Sequence, residues 1–136
     1  MDDLDSIYTD VIMEHSTATY NKHKLQDATN SEHGHNPSCG DDITLEIKKD
    51  GDTITDLAFT GHGCAISQAS TSIMIDLLKG KTVEQATKLI SIFIRMIKRE
   101  DVSEEELNEL EEAQALKNIS NMPARVKCAE LAWYTM

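Results

Sequence analysis

Three cysteines, Cys39, Cys64 and Cys128, carry the chemistry this sequence suggests. Cys39 sits in Asn36-Pro37-Ser38-Cys39-Gly40-Asp41-Asp42, a turn-forming run with a carboxylate just beyond it. Cys64 follows Gly61-His62-Gly63 and opens an apolar run, and Cys128 lies in Arg125-Val126-Lys127-Cys128, beside two cations. An odd set of thiols cannot all close internal disulfides. Three thiolates and Asp41, however, would give a divalent ion four donors, and thiolate, imidazole and carboxylate are the donors zinc takes. Metal-supported sulfur chemistry is therefore the question posed by these residue types.

Local electrostatics point the same way. A thiol at the start of a helix meets unpaired N–H groups that favour its thiolate, which applies to Cys64. Arg125 precedes Cys128 by three positions, so a helix would carry both on one face, whereas Lys127 points about 100° away. Taken singly, each cysteine reads as a small buried hydrophobe. Taken together with a Pro/Gly turn, a helix start and an arginine, they favour the reactive reading. No CxxC pair strengthens it, and spacing alone cannot validate ligands drawn from three separate segments. Histidines are a competing source of ligands. His33 and His35 alternate, and His62 could support a ligand by hydrogen bonding. His15, His23, His33 and His35 are expected at the surface. Gly80-Lys81-Thr82 resembles the end of a phosphate loop, but Ile75 stands where that loop needs glycine. No Ser/His/Asp set has a nucleophile context.

The elements needed to position these residues can be read from periodicity. Leu4, Ile7, Tyr8, Val11 and Ile12 predict an amphipathic helix to about Thr17. Residues 21–37 are polar and read mostly as loop, with at most a short edge strand. Ile43, Leu45 and Ile47 alternate as a strand, Asp50-Gly51 marks a tight turn, and 53–60 return with Leu57 and Phe59 on one face. Ile66, Ser70, Ile73, Met74, Leu77 and Leu78 form a helical stripe that Gly80 stops. Thr82 with Gln85, and Ser103 with Glu106, are capping boxes that open two more helices. The second of these carries Leu107, Leu110 and Leu116, with Glu104–Glu106 as a solvated first turn. Pro123 opens a last helix with Cys128, Ala129, Ala132 and Trp133. The fold class is α+β: a small antiparallel sheet of about three strands with helices packed on it, in one domain over residues 1–136.

The chain has 136 residues, 40% of them apolar, and aromatic residues make up only 4%, so aliphatic side chains must fill the core. A formal charge of -11 disfavours nucleic acid and anionic membranes as partners. Acidic Met1-Asp2-Asp3 is unlike a secretory signal, and the apolar stretch 89–97 is too short to span a bilayer. These features predict a cytoplasmic protein with reduced thiols.

The stretches 36–42, Gly-His-Gly-Cys-Ala-Ile-Ser-Gln-Ala-Ser (61–70) and Pro-Ala-Arg-Val-Lys-Cys-Ala-Glu-Leu-Ala-Trp (123–133) resemble the NifU/IscU family of iron–sulfur assembly proteins. The likeness extends along nearly the whole chain and is strongest to the SufU branch. Scaffold members of the IscU type carry histidine immediately before the last cysteine, where this chain has Lys127. They carry Leu-Pro-Pro-Val-Lys where it has Asn121-Met122-Pro123-Ala124-Arg125. The acidic segment from Ser103 is the expected insertion of the SufU branch.

The resemblance implies zinc held by Cys39, Asp41, Cys64 and Cys128. It also implies persulfide sulfur accepted from a PLP-dependent cysteine desulfurase of the SufS type and passed to a downstream iron–sulfur assembly scaffold. Cys39 would be the catalytic acceptor, freed when a desulfurase residue replaces it on zinc, and Arg125 would hold a displaced thiolate. The alternative is a scaffold on which an iron–sulfur cluster is transiently built. One departure is that Asn30-Ser31-Glu32-His33-Gly34-His35 stands where the family has an apolar strand, which predicts a weak or distorted first strand.

Overall fold

The computed structural model describes residues 3–37 and 40–136, with side chains from residue 9 onward in the first helix. Cys39, the expected sulfur acceptor, lies outside the described residues. The order is α1 (Asp3–Thr17), β1 (Asn30–Asn36), β2 (Asp41–Asp50), β3 (Thr53–His62), α2 (Ala65–Leu78), α3 (Val83–Ile97), α4 (Glu104–Glu109), a 3₁₀ segment (Glu111–Asn121) and α5 (Pro123–Thr135). The α+β expectation holds.

The strands form one antiparallel sheet in the order β1-β2-β3. Along β2, Asp41, Ile43, Leu45 and Ile47 are buried while Asp42, Thr44 and Glu46 are half-buried. The inward row faces the helices, as strict alternation requires. A β-bulge between Lys48 and Lys49 shifts the pairing with β3, from Lys48↔Asp56 to Lys49↔Ile54. The bulge lets Ile54 and Leu57, an odd number of positions apart, both enter the core.

β1 departs from the expectation of a weak strand. It pairs in unbroken register from Asn30↔Ile47 to Asn36↔Asp41. Its sequence hides it because only Gly34 and Asn36 are buried. A Cβ built on Gly34 would stand 2.1 Å from Thr135 Oγ1, so α5 lies directly on the strand there and only glycine fits. Backbone pairing and this close approach replace the apolar side chains a strand would normally show.

α2 is the central helix and contacts α1, β3, α5 and the 3₁₀ segment. Its buried set includes Ser67, Ser70, Thr71 and Ser72 as well as Ile73, Met74, Ile75, Leu77 and Leu78. Phe93 of α3 stacks on Trp133 of α5, with ring centroids 3.8 Å apart at 7°. Both expected capping boxes form, at Thr82/Gln85 and Ser103/Glu106.

Three sequence expectations need correction. The stripe Leu107, Leu110, Leu116 does not run through one helix, since α4 ends at Glu109 and the 3₁₀ segment follows, with Glu111 at φ 49. No glycine or proline signals that break. Glu106 is not merely solvated, because its carboxylate pairs with Arg95. His15 is 3% exposed, where a surface residue was expected. It follows Val11 by one helical turn, on the face of α1 that packs against the core.

Candidate metal centre

The hairpin joining β1 to β2 has Asn36 and Asp41 as its paired feet. Cys39 belongs to the short connection between them, which ends at Gly40 with φ 68, a conformation suited to glycine. Asp41 occupies the first inward position of the β2 row and is 0% exposed. The alternation that sends Ile43 and Leu45 into the core thus drives a carboxylate into the same layer.

Cys64 is the N-cap of α2, with its Sγ accepting the Ser67 N–H at 3.4 Å. Its own N–H donates to Asp41 Oδ1 at 2.9 Å. A Cβ on the preceding Gly63 would lie 2.7 Å from that same oxygen, so glycine permits the approach. The sulfur sits where cap residues meet unpaired helix N–H groups, which favour negative charge.

Cys128 lies on α5 and is 1% exposed. Its position is fixed from α2: Ser70 Oγ–H donates to the Ala129 carbonyl, and Trp133 Nε1–H donates to Ser70 Oγ at 2.9 Å. One buried hydroxyl therefore sets the register of α5 against the helix capped by Cys64. Donor atoms of Asp41, Cys64 and Cys128 lie within 4.8 Å of one another.

The donor set fits a zinc-like ion on physical grounds. Tetrahedral zinc with Zn–S bonds near 2.3 Å separates two sulfurs by about 3.8 Å, compatible with this cluster. Among the described residues, buried Asp41 Oδ2 has no hydrogen-bond partner, and the same is true of Ser67 Oγ and Asn36 Nδ2. A buried carboxylate oxygen without a partner is costly, and a cation would satisfy it. Sequence reasoning missed Ser67 and Ser70, whose positions show only as hydroxyls on an otherwise apolar helix.

Other candidates fall elsewhere. Arg125, in the first turn of α5, and Lys127 are both exposed. His62 is exposed and pairs across the strands with Asp42, on the outward face, rather than joining the sulfurs. His33 and His35 are exposed as expected, and His33 Nε2–H donates to Asp42 Oδ1 at 2.6 Å. That hydrogen bond, more than the nearby charges of His35 and His62, holds the Asp42 carboxyl below its ordinary range.

Comparison with known proteins agrees with this geometry. The NifU-like N-terminal domain model matches residues 7–129. The zinc-dependent sulfurtransferase SufU of Bacillus subtilis is 41% identical over 130 residues, covering 96% of this chain and 86% of that protein. The iron–sulfur cluster assembly scaffold protein IscU of Streptococcus pyogenes is 40% identical, covering 96% and 80%. Among solved structures, FiSufU of the SUF system from Fervidobacterium islandicum superposes with a TM-score of 0.88 at 39% identity, covering 96% of this chain and 93% of that one. A NifU-like N-terminal structure from Brucella abortus, at 22% identity and TM-score 0.82, shares the fold. An Asp/Cys/Cys cluster where the sheet end meets α2 and α5, with this likeness over nearly its full length, places the chain in the NifU-like N-terminal domain family, among the SufU and IscU iron–sulfur cluster assembly proteins.

Proposed function

We propose that this protein is a zinc-dependent sulfurtransferase that accepts persulfide sulfur from a PLP-dependent cysteine desulfurase of the SufS type and passes it to a downstream iron–sulfur assembly scaffold. The observation that carries the reading is the cluster of buried Asp41, half-buried Cys64 and buried Cys128, with a carboxylate oxygen that has no partner among the described residues, at the foot of the connection that bears Cys39. Cys39, Asp41, Cys64 and Cys128 would hold the ion. When bound, zinc would lower the thiol pKa values and keep sulfurs as thiolates.

The chain's own residues then have distinct tasks. Cys64 and Cys128 are held by the α2 cap and by the Ser70 clamp, which suits them to stay in place. Cys39 is the acceptor. Its thiolate attacks the outer sulfur of the desulfurase persulfide, a Cys39 persulfide forms, and the desulfurase cysteine leaves as its thiolate. Arg125, an exposed cation three positions from Cys128, would stabilise a displaced thiolate. We further infer a single functional unit over residues 1–136 acting in the cytoplasm, where thiols stay reduced. No helix among the described residues is long and apolar enough to cross a membrane.

Incubation with a cysteine desulfurase and cysteine, followed by mass spectrometry, is expected to find persulfide on Cys39. A Cys39→Ser protein that still carries sulfur and stimulates the desulfurase would refute the assignment. The relative from Streptococcus pyogenes is named a scaffold, which supports a second reading in which a cluster is built on the thiolates. Anaerobic reconstitution giving a stable, transferable cluster, together with no sulfur acceptance, would favour it.

A further inference from the structure

The strands that lead to the sulfur cluster carry a second group of metal-binding side chains on their opposite face. His35 pairs directly across from Asp42, and Asp42 pairs on its other side with His62, so the three form one row across β1, β2 and β3. His33 stands two residues before His35 on the same strand face and already bonds to Asp42. Directly paired residues of antiparallel strands have Cβ atoms about 5 Å apart, and i, i+2 neighbours on one face about 7 Å. Imidazoles at those spacings can converge on a common ion.

The geometry points to His33, His35, Asp42 and His62 as a solvent-exposed site for a first-row divalent transition ion, separate from the thiolate cluster. The donors are imidazole and carboxylate, a set that suits zinc, cobalt, nickel or copper and lacks the soft sulfur of the inner site. The donor atoms within 4.8 Å of one another among the described residues are those of Asp41, Cys64 and Cys128, so the outer row would need side-chain rotation to bring its donors onto one ion. All four side chains have room to rotate: the three histidines are exposed and the Asp42 side chain is 42% exposed. The two sites are wired back to back. Asp41 and Asp42 are consecutive and face opposite sides of the sheet, while His62 and Cys64 flank Gly63.

The site is tested by titrating Co²⁺ into protein loaded with one equivalent of zinc, enough to fill the thiolate cluster and leave the outer row free. A second equivalent is expected, with visible cobalt absorption, no thiolate-to-cobalt charge-transfer band and no zinc release. Doubly substituted His35→Ala/His62→Ala protein should lose that equivalent while keeping its bound zinc. In the unsubstituted protein, Ni²⁺ should broaden the ring resonances of His33, His35 and His62 before those of His23. Absence of the second equivalent, its persistence in the double variant, or a charge-transfer band placing cobalt on cysteine would each overturn the proposal. The band also separates the two sites, since it reports occupation of the thiolates whatever becomes of the outer row.

Discussion

Two buried polar clusters lie against α2, and they are finished differently. Midway along the helix, His15 accepts from Ser72 Oγ at 2.8 Å and donates from Nε2 to Glu112 Oε2 at 3.1 Å. Asn21 Nδ2 closes the same cluster, donating to the Ser72 carbonyl and to Asp76 Oδ1. At the helix start, Asp41 Oδ2 and Ser67 Oγ have no partner among the described residues. His15, Asn21 and Ser72 are as buried as Asp41 and Ser67, but the first set reaches the more exposed carboxylates of Asp76 and Glu112 and is satisfied, while the second is not. A completed network ties α1, α2 and the 3₁₀ segment together as structure, whereas incomplete valences mark a place built to receive something else.

The largest expected effect breaks the comparison by completing the second cluster. With zinc in about thousandfold excess over its Kd, stability should rise by about 4 kcal/mol. Thermal unfolding with and without chelator checks it, and the gain should vanish in Cys64→Ala and Cys128→Ala proteins. Next, His15→Ala should destabilise by about 2–3 kcal/mol through lost packing and stranded partners, equally with and without zinc, as denaturant titration would show. Asp41→Asn sharpens the contrast. Replacing a buried carboxylate whose Oδ2 has no partner among the described residues should leave the zinc-free protein no less stable, and up to about 1 kcal/mol more so, while competition with a chromophoric chelator shows weaker zinc binding.

Trp133→Phe removes one donor from Ser70 and should cost about 1 kcal/mol, with a small loss of zinc affinity as α5 loosens. The smallest effect is a surface control. Arg95, chiefly through its hydrogen bond, holds the Glu106 carboxyl below the usual range. Its folded value is depressed, so the contribution is present above the unfolded value and is lost as pH falls through the folded one. Glu106→Gln should flatten the acid limb of a stability–pH curve slightly and leave zinc binding unchanged.

Asp41, Cys64 and Cys128 could be singled out as candidate ligands because their types are chemically rare and their flanks are distinctive, and the structure brings their donor atoms together, while Cys39 lies outside the described residues. The central hairpin and the capped helices were legible because side-chain pattern and local structure agree there. β1 was not, since its order comes from pairing with β2 and from α5 pressing on Gly34, neither of which leaves an apolar period. His15 was misplaced because residue type was weighed above helical phase. The break at Glu111 has no local signal, only the packing of Leu110, Ala113 and Leu116 around it. Ser70 could not be recognised as the residue that registers α5, because that role exists only once two helices meet.

The bulge at Lys48/Lys49 gives β2 a forgiving end and an unforgiving one. A residue gained or lost near the Asp50–Gly51 turn can be absorbed where pairing is already irregular. At the other end the register is unbroken, so an insertion between Pro37 and Gly40 that slid β2 by one position would exchange Asp41 for Asp42. The sulfurs would then face a threonine-flanked outer surface and the histidines an apolar one. Length variation in relatives is therefore expected to accumulate at the distal turn and to be scarce beside Cys39, a pattern that an alignment of their hairpins would reveal.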